Sequence, residues 1–310
     1  MTTPLSRRAA LKGLGAFGVA AALPTAARAA TSDTPPTAAD HHTVSAHTFA
    51  VGGATVTVIR DAGFVLPLSA VGTNVAPEAV TALLESHGLP TDGVPTDVSV
   101  LLIRAGEETV LVDTGTGGGD LMGTMRALGI APEAVTRVAI SHFHGDHIGG
   151  LAPGGTPAFP NASVHFPAPE MAFLDAAAGD NEGASAAKAA LQSASNVQTY
   201  ADGDELVPGF TAVAAHGHTP GHMAFVLASG EARLMIVSDA VAHPAAFFAH
   251  PEWLFGFDMD AQAATTRRQL LGRAADERVH LFASHMPFPG IGRVGRDGGG
   301  FRFTPAPYAA

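Results

Sequence analysis

The sequence predicts an α/β protein, one compact domain with helices on both sides of buried β-sheets. Two observations carry that expectation. Near-continuous apolar runs of 4–6 residues recur along the chain, the pattern of strands covered on both faces. Longer stretches of helical pattern lie between them, with no fixed-period repeat and no long linker to divide the core.

The expected strands are Thr55 to Ile59, Val98 to Ile103, Thr109 to Val112 and Arg137 to Ile140, then Thr211 to Ala215, Ala224 to Leu227, Leu234 to Val237 and Val279 to Phe282. Each is short and dominated by β-branched or other apolar residues. The expected helices are Pro77 to His87, Asp120 to Leu128, Pro169 to Ala178, Ala184 to Ser193 and Asp260 to Ala275. Thr116 or Asp120, Ala168-Pro169 and Asp258 or Asp260 supply the start signals.

The N-terminus is set apart from this domain. Ser6-Arg7-Arg8-Ala9-Ala10-Leu11-Lys12 precedes an apolar run ending at Leu23 and then Ala27-Arg28-Ala29. A charged start, a short apolar segment and a small-residue cleavage site form a secretory signal over residues 1–29. The paired arginines resemble the bacterial twin-arginine export signal, with Ala10 where that motif usually has phenylalanine. The resemblance implies delivery by the twin-arginine machinery to the periplasm or the exterior. The apolar segment is too short and too rich in Ala and Gly for a membrane span, so none is expected in the mature chain. Residues 30–47 read as a flexible leader, with His41, His42 and His47 as solvated tail, and residues 48–310 as the single domain.

Composition removes several classes of function. There is no cysteine among 310 residues, so disulfide scaffolds and thiolate metal sites are out. Loss of Arg7, Arg8, Lys12 and Arg28 with the signal takes the 17 basic residues to 13 against 28 acidic ones, a formal charge of −15 instead of −11. A nucleic-acid partner needs a basic face and is not expected. A homodimer is compatible with this acidic, apolar-rich composition.

The chemistry concentrates in Ser141-His142-Phe143-His144-Gly145-Asp146-His147-Ile148-Gly149-Gly150, directly after the strand ending at Ile140. In an extended chain His142 and His144 point to the same side, and the turn at Gly145 lets Asp146 and His147 face a second point. Two adjacent ligand pairs of imidazole and carboxylate suit two adjacent first-row cations. Other strands end alike, in His216-Gly217-His218, Ser238-Asp239, Ser284-His285 and Asp113-Thr114-Gly115. Functional groups gather at such strand ends. Gly115 to Gly119 has no Lys-Ser/Thr after it and reads as turn chemistry rather than a phosphate loop.

His142-x-His144-x-Asp146-His147, Gly217-His218-Thr219-Pro220-Gly221-His222, Asp239 and His285 together resemble the metallo-β-lactamase fold superfamily. That resemblance implies an αββα sandwich of two mixed β-sheets with helices on both outer faces. It also implies His142, His144 and His218 on one metal, Asp146, His147 and His285 on the other, and Asp239 bridging. A narrower resemblance runs from about Phe49 to Tyr308. Leu206-Val207-Pro208-Gly209, Phe159-Pro160-Asn161-Ala162, Ser284 to Gly292 and Phe301-Arg302-Phe303 are similar to methyl parathion hydrolase and its relatives. Leu121 and Leu174 stand in segments where that family's aromatic cage would be. Quorum-quenching acyl-homoserine lactonases of the same superfamily use a tyrosine, and the two tyrosines here, Tyr200 and Tyr308, lie outside the ligand loops.

The implied function is an exported hydrolase with two divalent cations, zinc by donor type, whose shared hydroxide attacks a small-molecule ester, lactone or phosphotriester. The alternatives are an acyl-homoserine lactonase or general aryl esterase and, behind them, an iron-dependent oxidoreductase or a non-catalytic metal-binding protein. Asp146 and Asp239 hold metal and relay a proton. Asp113 orients a ligand imidazole or caps its own turn, and His222 supports the centre or packs beside it. Phe64, Leu66, Phe143, Met223, Phe247, Phe248, Trp253 and Phe288 are the pocket candidates, with core packing the ordinary role of such side chains. Replacing His142 or Asp239 with alanine is expected to abolish metal content and turnover together. Metal analysis beside a rate assay checks this, and full turnover without bound metal would overturn the reading.

Overall fold

The computed structural model describes residues 45–177 and 179–306. The expected export signal at residues 1–29, residues 30–44 of the expected leader, His41, His42 and Tyr308 lie outside the described residues. The described chain forms two seven-stranded sheets. The first runs, in spatial order, β1 (Ala46–Val51), β2 (Ala54–Leu66), β3 (Val94–Ala105), β4 (Glu108–Val112), β5 (Arg137–Ala139), β6 (Ser163–Pro167) and β7 (Val197–Tyr200). The second is the sequence-reversed row β14 (Gly300–Pro305), β13 (Ile291–Asp297), β12 (His280–Phe282), β11 (Ala232–Ile236), β10 (Met223–Ser229), β9 (Phe210–Ala214) and β8 (Glu205–Val207). Both are mixed: β4 to β7 pair in parallel, as do β11 and β12, and the remaining neighbours are antiparallel.

The near-continuous apolar runs follow from a strand's two faces entering two different cores. Leu101 and Ile103 of β3 point between the sheets, against Phe225, Leu234 and Phe282. Val100 and Leu102 of the same strand point outward, into a core shared with α2 (Leu121–Ala127), α4 (Ala168–Ala177) and α5 (Glu182–Ser193). On the second sheet Leu234 and Ile236 face inward. Met235 and Val237 face outward onto α1 (Pro77–Ser86), α6 (Ala246–Ala249) and α7 (Gln262–Asp276). The result is the four-layered αββα sandwich.

Some elements depart from the sequence expectation. β1 begins at Ala46, so Ala46 and His47 at the end of the expected leader are sheet, with His47 stacked on Phe49. β1, β6, β7, β8, β13 and β14 were not anticipated. β6 carries His165 and ends at Pro167, while β7 and the β13–β14 hairpin are half polar, so none forms an apolar run. α7 starts at Gln262, and Asp258 is no helix start. No helix among the described residues is long and apolar enough to cross a membrane.

The strand directions build the site. β4 and β5 run in parallel, as do β11 and β12, and β9 runs the same way as β11 because both oppose β10. Their C-terminal ends therefore open on one rim of the sandwich. Two buried carboxylates anchor the loops there. Asp61 sits at a β-bulge in β2, where the extra residue re-aims its side chain. Its Oδ2 accepts from Thr116 N and Oγ1, both at 2.8 Å, and its Oδ1 from Leu121 N at 2.9 Å. Glu170, in the first turn of α4, accepts from Thr219 Oγ1 and from Gly221 N at 2.9 Å. A Cβ on Gly221 would lie 2.3 Å from Glu170 N, so only glycine permits this contact. Burial pushes the Glu170 carboxyl up to about 7, against the opposing pull of those two bonds.

Asp61→Ala strands three donors and is expected to destabilise the fold by about 3 kcal/mol, read by denaturant unfolding. A loss below about 0.5 kcal/mol would mean that water replaces the carboxylate. Folded Glu170 keeps its proton to higher pH than the unfolded chain, whose carboxyl titrates near 4.5. Its contribution to stability is complete below about 4.5 and is lost as pH rises through about 7. Glu170→Gln is therefore expected to gain stability on the wild type between pH 5 and 8, by up to about 3 kcal/mol. A wild-type-minus-variant difference that stays flat across that range would contradict it.

Candidate metal centre

Strand β5 ends at Ala139, and the chain runs through Ser141 to His144 before turning into the short helix α3 (Gly145–Ile148). Gly149 and Gly150 then pass directly over the Thr114–Thr116 loop. A Cβ on Gly150 would stand 2.0 Å from Thr114 O, a contact only glycine allows. The turn stacks three imidazoles and Asp146 above the ends of β4 and β5. The loops after β9, β11 and β12 bring His218, Asp239 and His285 to the same point.

Two donor groups result: His142, His144, His218 and Asp239, and beside them Asp146, His147 and His285. Four ligands at about 2.0–2.1 Å around a tetrahedral zinc stand about 3.3 Å from one another. In the first group His144 Nδ1 lies 3.1 Å from His142 Nε2 and 3.0 Å from His218 Nε2. Asp239 Oδ2 lies 3.2 Å from His218 Nε2 and 3.8 Å from His142 Nε2. In the second, Asp146 Oδ2 is 3.3 Å from His285 Nε2 and 3.8 Å from His147 Nε2. Asp239 reaches this group too, with Oδ2 at 3.0 Å from His285 Nε2 and Oδ1 at 3.1 Å from His147 Nε2. Those last two atoms are buried and face each other, yet neither makes a hydrogen bond. Buried polar atoms without partners are costly, and a cation shared by them removes that cost. The residues fit two cations.

Outward hydrogen bonds aim the rings. His147 donates from Nδ1 to Asp113 Oδ2 at 2.8 Å, and Asp113 also accepts from Ser141 N and Oγ. His285 donates to Asp97 O at 2.8 Å, and His218 to Asp258 Oδ1 at 3.1 Å. His142 Nδ1 lies 3.0 Å from Ser141 Oγ. Each bond leaves Nε2 as the inward lone pair, the usual outer support of a metal-ligating imidazole. Asp113 also has φ +62°, so its turn and its bond to His147 come together. His222 donates to Ala215 O and accepts from Asp239 N at 3.3 Å, which holds the backbone beneath that carboxylate.

The electrostatics divide the rings. Burial drives His144 and His222 down to about 3 and His142 well below the ordinary range, with neighbouring imidazoles adding to the effect. Burial opposes protonation of His147, His218 and His285 as well. The surrounding carboxylates, Asp239 first, outweigh it there and raise all three, His218 to about 9. Asp239 is lowered well below its usual value against its own burial, by His147, His285 and His142.

Above the donors lies a cavity of about 330 Å³. His144, Asp146, Asp239 and His285 form its floor, and Phe64, Leu66, Phe255 and Phe257 its apolar walls. A larger cavity of about 800 Å³, near Arg233, His280 and Arg293, lies at the opposite strand ends and holds none of these donors. Phe64 and Leu66 line this cavity, whereas the other pocket candidates pack elsewhere. Phe247, Phe248 and Met223 are fully buried core residues. Trp253 is buried and stacks on His250, and Phe288 packs on the inter-sheet core. Phe143 is buried against Phe173, with its edge on His144. Phe255 and Phe257 were missed, although Trp253 had marked their loop. Asp61, Asp258, Glu170 and Arg267 were missed too, since their partners lie far away in sequence. The local signal at Asp258 suggested only a helix start.

Known proteins share this fold. The model of the metallo-beta-lactamase superfamily matches residues 93–284. AidC, a dizinc quorum-quenching lactonase, has a similar fold, with a TM-score of 0.78 at 24% identity over 85% of this chain and 99% of that one. The hydrolase AbOPH, of the beta lactamase superfamily, gives 0.79 at 24% identity over 85% and 98%. A quorum-quenching N-acyl homoserine lactone lactonase gives 0.59 at 19% identity over 80% and 98%. Ribonuclease Z of Pyrococcus furiosus is 40% identical over 74 residues, and the match spans 23% of that protein's length. With most of its length matched to one family, and a fold like that of these enzymes, the chain belongs to the metallo-beta-lactamase superfamily.

Proposed function

We propose that the protein is an exported, binuclear metal-dependent hydrolase of uncharged esters, whether carboxylic esters, lactones or phosphotriesters. The observation that supports this most is Asp239, which stands between two donor groups on the floor of an apolar-walled cavity. In this reading His142, His144 and His218 hold one cation, Asp146, His147 and His285 the other, and Asp239 both. Nitrogen and oxygen donors without thiolate suit zinc, and the dizinc AidC supports that choice. Divalent cations there would polarise the acceptor oxygen of the ester and bring the pKa of a bound water toward 7.

The chain's own residues do the rest. Asp113, Asp258 and Asp97 O keep the imidazoles turned inward. Asp239, held ionised by the imidazoles, would stay a ligand, and a proton released at the centre would leave to solvent by way of Asp146, about a quarter exposed. Phe64, Leu66, Phe255 and Phe257 exclude water from the ester and prefer an apolar substituent on it. Tyr200 is committed elsewhere, with its hydroxyl donating to Ile140 O at 2.7 Å, so it takes no part in carbonyl activation. The fold shared with AidC supports a lactone within the ester class. The motifs resembling methyl parathion hydrolase support a phosphotriester. We assign residues 1–29 to twin-arginine export and the enzyme to the periplasm or the exterior. The acidic charge speaks against the nucleic-acid substrate that the short match to ribonuclease Z would suggest.

The test is kcat/KM of the zinc-loaded mature protein on an acyl-homoserine lactone, an aryl ester and a methyl phosphotriester. Turnover of at least one, lost on chelation and restored by zinc, is expected. No turnover of any with two cations bound would overturn the proposal, and a single bound iron would favour the oxidoreductase class. Phe257→Ala should raise KM for the preferred substrate about fivefold with kcat little changed, the loss of about 1 kcal/mol of apolar contact. An unchanged KM would remove Phe257 from the substrate wall.

A further inference from the structure

The loop between α6 and α7 meets the metal centre at one buried side chain. Phe255 and Phe257 form a cavity wall, and Asp258 beside them turns inward, its side chain 1% exposed. Asp258 Oδ1 accepts from His218 Nδ1 at 3.1 Å, and Oδ2 from Phe255 N at 2.9 Å and Arg267 Nη2 at 3.0 Å. Arg267, in α7, is itself fully buried. It donates from Nε to Ala240 O at 2.7 Å, next to Asp239, and from Nη1 to the carbonyls of Pro251 and Trp253. Its guanidinium also lies 4.4 Å from the centre of the Phe247 ring. Met259 N and Asp260 N bond back to Gly217 O at 3.1 and 2.9 Å. The wall, the loop of Asp239 and the His218 imidazole therefore converge on one carboxylate–guanidinium pair.

A buried ion pair is a poor source of net stability, because desolvation offsets its attraction. Its geometry here performs a different task. An imidazole that offers Nε2 to a cation must carry its proton on Nδ1, and an acceptor at Nδ1 selects that tautomer. We propose that Asp258, held by Arg267, is a positioning residue that fixes the His218 tautomer and ties it to the Phe255–Phe257 wall. Metal grip at His218 and substrate fit are thereby set by a single carboxylate. The inference rests on the metal assignment proposed above.

Asp258→Asn keeps the size but replaces one acceptor oxygen with an NH2, so in either orientation a donor faces His218 Nδ1–H or the donors of Arg267 and Phe255. Zinc affinity by chelator competition and KM are measured on wild type, Asp258→Asn and Phe257→Ala. Asp258→Asn is expected to weaken one of the two zinc sites by about 10–100-fold and to raise KM. Phe257→Ala is expected to raise KM with both zinc affinities intact. A folded Asp258→Asn that binds both zinc ions as tightly as wild type overturns the proposal and leaves the pair a loop staple. If that variant does not fold, the histidine ¹⁵N spectrum of zinc-loaded wild type decides. A His218 protonated on Nδ1 supports the proposal, and one protonated on Nε2 overturns it. A wild type that binds no zinc would instead defeat the metal assignment itself, a separate failure.

Discussion

Asp239 is a carboxylate buried among imidazoles at the meeting point of the two sheets, and the layout of the molecule answers the electrostatic demand it makes. Burial would raise such a group out of its charged form, yet His147, His285 and His142 hold it ionised. His144 Nδ1 stands 3.1 Å from His142 Nε2 and 3.0 Å from His218 Nε2, so one ring nitrogen is shared between two neighbours. Cations held by the two donor groups would add to the positive charge around Asp239. The ends of β4, β5, β9, β11 and β12 each bring either a donor or a group that orients one.

That demand explains how polar residues are spent around the rim. A metal-ligating ring needs its other nitrogen committed, and Asp113, Asp258 and the backbone at Asp97 provide the acceptors. The loops that carry these groups have little regular structure of their own. Asp61 and Glu170 stiffen them from outside by accepting their backbone N–H groups. The rigidity comes from long-range carboxylate contacts, which lets glycine-rich turns carry the donors without blurring their positions.

Legibility differed with the range of the interaction involved. The covered strands could be read because each buries both faces, and a continuous run of Val, Leu and Ile has few other meanings. Edge strands such as β7 and the β13–β14 hairpin bury one face only and mix Gln, Thr and Arg with apolar residues, so they lacked that mark. The segment from His142 to His147 was visible because four donors fall within six residues. The pocket aromatics were read less well. Trp253 and Phe255 are two positions apart in one loop, yet only Phe255 lines the cavity while Trp253 stacks on His250. Asp258 had the look of a helix cap, and only the approach of His218, 40 residues away, gives it another task.

From the chain alone came the fold class, the chemical type of the centre and the residues offered to it, since these depend on composition and local spacing. The folded arrangement decided which nitrogen of each ring faces inward and which phenylalanines wall the cavity. Those properties depend on contacts between strand ends far apart in sequence. Their geometry exists only once the two sheets have packed, and it follows from side-chain direction and burial that no local pattern encodes.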